Sequence, residues 1–198
     1  MKIALTGGIA CGKSQISRVF KNLGADIINL DDISREVVAP STKGLLALVS
    51  HFGNKILKTD NSLDRGKLRE ILLDNQANKQ IIEDILHPKI LEKMKMAIEN
   101  SKKSIVIVEI PLLLEKNWSY LFDRAIIVHC NDEKQLKRLI KRENFDKNTA
   151  KQLISTQTTH KNRLKLADQL PIDVIENNSE IFDLEQQTTD LYQKLINL

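Results

Sequence analysis

Residues 7–14 read GGIACGKS, a complete GxxxxGKS sequence. A short apolar run, residues 3–6, precedes it, and an amphipathic helical pattern follows directly. In this strand-to-helix context the sequence predicts a phosphate-binding loop, because backbone N–H groups of a glycine-rich turn at a helix N-terminus point at an anion. In such a loop Lys13 reaches the terminal phosphates and the Ser14 hydroxyl holds Mg²⁺. We therefore expect a nucleoside triphosphate as the ligand.

The other loop positions complete the predicted ATP site. Gly12 suits a position where the backbone takes a positive φ or approaches a phosphate closely. Cys11 only has to be small there, and we interpret it as a structural residue, although a helix N-terminus can lower the pKa of its thiol. The alternative is an ordinary glycine-rich turn, which the flanking strand and helix patterns disfavour. The predicted ATP contacts in this segment are Gly8, Ile9, Ala10, Cys11, Gly12, Lys13, Ser14 and Gln15.

The chain has 198 residues and two cysteines. This length suits one α/β domain with inserted subdomains. No apolar stretch is long enough to span a membrane, and none before the loop could serve as a signal peptide. Cys11 and Cys130 lie far apart in sequence without metal-ligand spacing, so we expect neither a disulfide framework nor a zinc site. We expect a cytoplasmic protein with no membrane partner, and a monomer as the default state.

Positive charge is concentrated in one segment of the chain. Residues 134–165 contain ten Lys and Arg residues, whereas residues 168–198 contain seven acidic residues and one lysine. Phe145 is the one aromatic residue within the basic segment, so the stacking surface that single-stranded nucleic acids require is missing. We expect no nucleic-acid partner, and we interpret the basic segment as one that binds a smaller anion.

Five short apolar runs alternate with helical patterns, and they predict an α/β fold with a five-stranded parallel sheet and helices on both faces. Residues 31–102 are too long for a simple crossover, so we predict an inserted helical subdomain that binds the second substrate. Within it, Pro88 suits the first turn of a long helix. His87, held extended before the proline, would aim its ring at a pocket or be a structural histidine. The predicted strands are residues 3–6, 26–29, 104–109, 124–129 and 172–175.

Two arginines share one face of a predicted helix over residues 132–142. Arg138 and Arg142 are four residues apart and lie away from the apolar side of that helix. A solvated basic face is one interpretation. Given a triphosphate site elsewhere in the chain, clamps for the transferring phosphoryl group are the other.

Acidic residues follow two of the predicted strands. Asp31 and Asp32 come just after the second strand, and residues at the carboxyl ends of parallel strands face the ligand crevice. A carboxylate there can reach an acceptor hydroxyl, or it can simply cap the next helix. Glu109 ends the third strand, where it would either sit beside the Mg²⁺ shell or bond to a neighbouring loop.

Six ordered blocks resemble the dephospho-CoA kinase family: GGIACGKS, NLDDISREVV, LHPKI, EIPLLLE, QLKRLIKRE and DVIENN. Other P-loop kinases share only the first block, so residues 31–38, 87–88 and 111–115 are the most specific. The resemblance implies a P-loop NTPase fold with three parts. These are a core of residues 1–30, 103–131 and 167–198, a helical CoA-substrate subdomain of residues 31–102, and a basic lid region of residues 132–166.

The resemblance also implies a reaction, which is the ATP- and Mg²⁺-dependent phosphorylation of the ribose 3′-hydroxyl of dephospho-CoA, the last step of coenzyme A synthesis. It makes Asp31 rather than Asp32 the catalytic base, because residues 33–35 align only in that register. Asn29 stands where the family has a first acid. Gln15 stands where the family often has threonine, which leaves Ser14 as the metal-facing hydroxyl.

The site residues that follow from these blocks fall into four groups. Catalytic roles are expected for Asp31, Lys13, Arg138 and Arg142, and a place near the adenine for Asn177. Glu109 and Ser14 are the expected metal contacts. Expected substrate contacts are Asp31, Arg35, His87, Pro88, Ile110, Leu112 and Leu113.

Two other functions compete with this interpretation. Another small-molecule kinase is possible, because phosphate loops identify the donor and say little about the acceptor. A GTP-dependent switch is disfavoured, because the chain has no NKxD sequence for reading guanine: Leu57 and Ile81 follow its two Asn-Lys pairs.

Overall fold

The computed structural model describes the whole chain, residues 1–198. Its five strands form one sheet in the order β2-β3-β1-β4-β5. β1 pairs in parallel with β3 and with β4, and β4 pairs in parallel with β5. The predicted α/β class with a five-stranded parallel sheet is confirmed. The strands are β1 (Lys2–Gly7), β2 (Asp26–Asn29), β3 (Val106–Glu109), β4 (Arg124–His129) and β5 (Ile172–Glu176).

The chain contains nine α-helices. None of them combines the length and the apolar character that crossing a bilayer requires. In chain order they are α1 (Lys13–Asn22), α2 (Leu30–Glu36), α3 (Lys43–Phe52), α4 (Arg65–Asp74), α5 (Gln76–Asn100), α6 (Asp132–Glu143), α7 (Lys147–Ser155), α8 (His160–Leu164) and α9 (Ile181–Ile196).

The contacts divide the chain into two compact units. The first unit comprises Met1–Ile28 and Ser101–Leu198, and the second comprises Asn29–Asn100. Three helices of the first unit, α6 to α8, lie within the lid region that the sequence places at residues 132–166. The four helices α2 to α5 make up most of the second unit.

The core of the first unit is built around the sheet. Ile3 and Leu5 of β1 and Ile107 of β3 are fully buried, which is typical of parallel strands covered on both faces. Ile16 and Phe20, four residues apart on α1, give this helix its buried stripe. These apolar contacts fix β1 and α1, and therefore both ends of the loop between them.

The second unit is organised around the long helix α5, which contacts α2, α3 and α4. Ile82, Ile90 and Met94 are its buried residues, spaced along one side. Lys93 of α5 also forms an ion pair with Glu36 of α2. Burial of this side against three short helices holds the unit together.

Pro88 lies inside α5, so the prediction that it starts a helix is wrong, and His87 is helical rather than extended. A proline in a helix interior removes one backbone hydrogen bond and crowds the preceding turn. The helix continues through it because buried apolar residues lie on both sides, Ile82 before the proline and Ile90 and Met94 after it. Tertiary packing here outweighs local backbone preference.

We expect Pro88→Ala to raise the free energy of unfolding by about 1–3 kcal/mol, because alanine restores the missing helix hydrogen bond. Chemical denaturation of the purified chain measures this change. Pro40→Ala is the matched control, since Pro40 lies in a turn outside any helix. If the Pro88→Ala variant is no more stable than the original chain, Pro88 does not destabilise α5, and there is no cost for helix packing to outweigh.

Candidate active site

The phosphate loop connects the end of β1 at Gly7 to the start of α1 at Lys13. Gly12 has a φ of 104°, a left-handed conformation that favours glycine, and a Cβ at this position would collide with the Asn177 amide. The backbone N–H groups of Gly12, Lys13 and Ser14 donate to no acceptor within the chain. These free amides at a helix N-terminus form a cradle for an anion.

Lys13 is folded back over the loop. Its Nζ donates hydrogen bonds to the carbonyl oxygens of Gly7 and Gly8, both at 3.0 Å. Burial lowers the pKa of Lys13, and the nearby positive charges of Arg163 and Arg142 act in the same direction. Phosphate oxygens would offer this ammonium stronger, charge-assisted partners than the two carbonyls.

Asn177, just after β5, holds the phosphate loop through a side-chain hydrogen bond. It is 6% exposed, and its Nδ2 donates to the carbonyl oxygen of Cys11 at 2.8 Å. Its own backbone N–H donates to the carbonyl oxygen of His129 at 2.7 Å. Arg138 donates to the Asn177 side-chain oxygen at 3.1 Å and to its carbonyl oxygen at 3.2 Å. Asn177 therefore connects the loop, β4 and α6.

Two glutamines of the lid region hold the peptide groups of Ile9. Gln157 accepts from the Ile9 N–H at 2.8 Å through its Oε1. Gln135 of α6, which is 8% exposed, donates to the Ile9 carbonyl oxygen at 3.0 Å. Both glutamines were missed in the sequence, where no spacing distinguishes them from other polar residues. The lid region thus contacts the phosphate loop directly.

The two cysteines, distant in sequence, meet beside the loop. Both are buried and unoxidised. Hydrogen bonding from the Cys130 thiol, together with the charges of Lys13 and Arg163, lowers the pKa of Cys11 to about 7. The same contact and burial raise the pKa of Cys130. The phosphate loop therefore contains a thiol with a lowered pKa, and the contact with Cys130 that lowers this pKa left no signal in the sequence.

A cavity of about 570 Å³ opens beside the loop, between Gly8 and Cys11 on one side and the lid helices on the other. Arg163 of α8 lines it and is 7% exposed. Burial lowers the pKa of Arg163, and Glu115 opposes this effect. No hydrogen-bond acceptor in the chain binds its guanidinium, so it is free to bind an anion in the cavity. The size of the cavity suits a nucleotide.

Glu109 and Ser14 are the predicted metal contacts. Glu109, the last residue of β3, is 8% exposed, and its carboxylate makes no hydrogen bond or ion pair. Its negative charge raises the pKa of Lys13, so it lies within electrostatic reach of the loop. Ser14 is exposed at the start of α1. A carboxylate and a hydroxyl are oxygen donors of the kind Mg²⁺ prefers, so both side chains fit this ion.

Arg138 and Arg142 have different surroundings in α6. Arg138 is occupied by its two hydrogen bonds to Asn177. Arg142 is exposed and pairs at 2.7 Å with its neighbour Glu143. Its positive charge nevertheless contributes to the lowered pKa of Lys13. Of the two predicted phosphoryl clamps, Arg142 is the one free to change partner.

Asp31 belongs to the second unit, in the first turn of α2. Asn29 caps this helix, because its Oδ1 accepts from the Asp31 N–H at 2.8 Å. The alternative that Asp31 or Asp32 is the cap is therefore wrong. Asp32 pairs with Arg35 at 3.0 Å, whereas the exposed Asp31 carboxylate has no partner.

The remaining predicted substrate contacts are placed differently. Ile110 and Leu113 are buried in the first unit at 0% and 1% exposure, while Leu112 is 42% exposed. Of these three, Leu112 alone presents a free side-chain surface. His87 and Pro88 lie within α5 of the second unit.

A parallel sheet of order β2-β3-β1-β4-β5, a phosphate loop after β1 and a lysine within that loop define a nucleotide-binding protein of the P-loop class. A crystal structure from Thermus thermophilus has the same fold, with a TM-score of 0.82, 19% identity, and coverage of 98% of this chain and 97% of the other. The dephospho-CoA kinase family model matches residues 1–183. The chain belongs to the dephospho-CoA kinase family, so the resemblance found in the sequence is confirmed.

Individual relatives agree with this family. A dephospho-CoA kinase of Vibrio parahaemolyticus serotype O3:K6 is 40% identical over 195 residues, which cover 98% of this chain and 94% of the relative. A solved dephospho-CoA kinase from Campylobacter jejuni is 28% identical, with a TM-score of 0.69 and coverage of 98% of each chain. The chain therefore spans nearly the full length of both relatives.

Cys130→Ala removes the thiol that stabilises the Cys11 thiolate, so we expect the pKa of Cys11 to rise from about 7 towards its ordinary value of 9.0. Thiolate absorbance in the ultraviolet, followed against pH, measures this shift. Cys11→Ala is the control and should abolish the titration near neutral pH. If Cys11 in the Cys130→Ala protein still titrates near pH 7, the thiol contact is not the cause.

Proposed function

We propose that this chain transfers the γ-phosphoryl group of ATP to the ribose 3′-hydroxyl of dephospho-CoA, giving coenzyme A. The observation that best supports this proposal is the anion cradle after β1, with its free amides and the Lys13 ammonium, in a member of the dephospho-CoA kinase family. Phosphoryl transfer requires little more of a protein than positioning and charge neutralisation. The cradle supplies both for the triphosphate.

We assign charge neutralisation at the transferring group to cations of the first unit. Lys13 already lies on the loop and needs only to exchange its carbonyl partners for phosphate oxygens. Arg163 lines the cavity, with its guanidinium free to bind phosphate. Arg142 has a surface partner that it can leave. In a loose transition state these charges act on the oxygens that become more negative.

We assign the acceptor side to Asp31, which would orient the ribose hydroxyl and accept its proton. Three observations support this role. The family register places the catalytic acid at this position, Asp31 begins α2 directly after β2, and its carboxylate is free because Asn29 provides the cap. Its neighbour Asp32 is already paired with Arg35.

Ser14 and Glu109 are the residues that we propose to hold Mg²⁺, because both offer oxygen atoms with no partner in the chain. When bound, Mg²⁺ neutralises negative charge on the β- and γ-phosphates. Removal of divalent ions with a chelator should therefore abolish turnover.

The expected cytoplasmic location and monomeric state remain predictions from the sequence.

The acceptor is tested by measuring ADP release with Mg²⁺ and ATP across a panel of alcohols. The panel contains dephospho-CoA, adenosine, nucleoside monophosphates, shikimate and gluconate. We expect a strong preference for dephospho-CoA and incorporation of phosphate at its ribose 3′-oxygen, seen by phosphorus NMR of the product. A preference for any other acceptor would overturn the proposed substrate.

Asp31→Asn should lower kcat by about 10²–10⁴-fold while leaving ATP affinity unchanged, because general-base assistance contributes about that much to a rate. Steady-state kinetics and calorimetric ATP binding measure the two quantities. Asp32→Asn is the matched control, one residue away and already ion-paired, and its kcat should stay within a few-fold of the original. Equal losses in both variants would reject Asp31 as the base.

The two arginines of α6 should respond differently to replacement by alanine. Arg142→Ala should lower kcat by about 10²–10³-fold with little change in stability, since this side chain is exposed. Arg138→Ala should lower the free energy of unfolding by about 1–3 kcal/mol, because it leaves the oxygens of Asn177 without donors. Kinetics and chemical denaturation of both variants separate these effects. Identical behaviour of the two would contradict the distinction.

A further inference from the structure

Three metal-ligating side chains meet at the carboxyl ends of β4 and β5. His129 is the last residue of β4, Glu176 is the last residue of β5, and the two are register partners in the sheet. His160 is the first residue of α8. One potential ligand atom from each residue lies within 4.8 Å of the other two. Nothing in the sequence indicated this cluster, because its members are separated by 31 and 16 positions.

The two imidazole rings are stacked, with centroids 3.7 Å apart and an interplanar angle of 15°. The Nδ1 atom of His160 is buried and has no hydrogen-bond partner. Burial lowers the pKa of His160, and positive charge on His129 lowers it further, whereas Glu176 opposes both effects. Imidazole binds metals in its neutral form, and the unpartnered Nδ1 of His160 is a nitrogen that a metal ion could bind.

We propose that His129, His160 and Glu176 form a binding site for a divalent transition metal of the zinc class. Two imidazoles and one carboxylate are a donor set that zinc uses in proteins, with the fourth position open to water. Imidazole donors favour zinc, cobalt and nickel over magnesium. The site is thus chemically distinct from the oxygen donors Ser14 and Glu109.

Metal binding requires a small rearrangement of the three side chains. Ligand atoms about 2.0–2.1 Å from a tetrahedral zinc ion lie about 3.3 Å from one another. The potential ligand atoms of the three side chains lie within 4.8 Å of one another, so they must move closer together to bind the ion. One ring must also rotate, because parallel imidazoles present their lone pairs side by side. Glu176 is exposed and uses Oε2 to accept from Asn178 at 2.8 Å, which leaves its other oxygen free.

The nearby charges partly offset one another. Arg163 lies three residues beyond His160 on α8, and its positive charge would repel a bound cation. The same charge contributes to the lowered pKa of His160. The Glu176 carboxylate lies within the cluster itself and favours the cation. The two imidazoles, which bind a metal in their neutral form, supply two further ligands without adding charge.

A metal at this position would connect α8 to the sheet. His129 and His160 both line the cavity beside the phosphate loop, so the bound ion would fix one wall of that cavity. We therefore expect zinc to slow amide hydrogen exchange in α8, which is a short helix of five residues. This effect requires neither ATP nor an acceptor alcohol.

The test uses the full chain, freed of metals with a chelator and dialysed, without nucleotide or acceptor. Co²⁺ is titrated in millimolar Mg²⁺ while its visible d–d absorption is recorded, and Zn²⁺ is then added to displace it. We expect one Co²⁺ per chain with an intense band of four- or five-coordinate cobalt. His160→Ala and Glu176→Gln should each weaken binding by at least about tenfold.

His51→Ala is the matched control, because His51 is an exposed histidine of the second unit, outside the cluster. Its Co²⁺ affinity should equal that of the original chain. Circular dichroism checks folding, and Glu176→Gln at the exposed position provides a test if a histidine variant fails to fold. The proposal is overturned if the original chain binds no Co²⁺, or if His51→Ala weakens binding as much as the cluster variants. Because no phosphoryl transfer is measured, either result leaves the proposed kinase activity untouched.

Discussion

The hydrogen bond from the buried Asn177 amide to the Cys11 carbonyl oxygen is the contact on which the phosphate site depends. A phosphate loop must hold several N–H groups in one direction without the support of regular secondary structure. Asn177 supplies that support from the end of β5, and Gly12 gives its side chain the room to approach. Because a buried amide without partners is costly, the contact also fixes Asn177 itself.

The same contact couples the loop to the lid region. Arg138 binds Asn177 from α6, and Gln135 and Gln157 hold the peptide groups of Ile9. Motion of α6 or of the segment after α7 would therefore disturb the loop N–H groups that we propose to bind phosphate. A basic segment that could have been a solvated surface instead contributes structural contacts to the site. The catalytic role that we propose for Arg142 would add to this role in shaping the loop.

The sequence predicted the elements that depend on local patterns. The phosphate loop, the five strands and the α/β class follow from glycine spacing and short apolar runs, and the structure has them. Pro88 was misplaced because packing along α5 outweighs its backbone preference. Cys130, Gln157 and the cluster around His160 could not be predicted, because contacts between residues distant in sequence leave no local signal. The different surroundings of Arg138 and Arg142 could not be predicted for the same reason.

The role of Asn177 in holding the phosphate loop is tested most directly by calorimetry. The experiment measures the binding of tripolyphosphate, which has no adenine, to the original chain and to Asn177→Ala. If Asn177 acts by holding the phosphate loop, the substitution weakens tripolyphosphate and ATP binding by the same factor. If Asn177 instead contacts the adenine, ATP binding falls while tripolyphosphate binding is unchanged. That second result would contradict the claim that Asn177 holds the phosphate loop in its binding conformation.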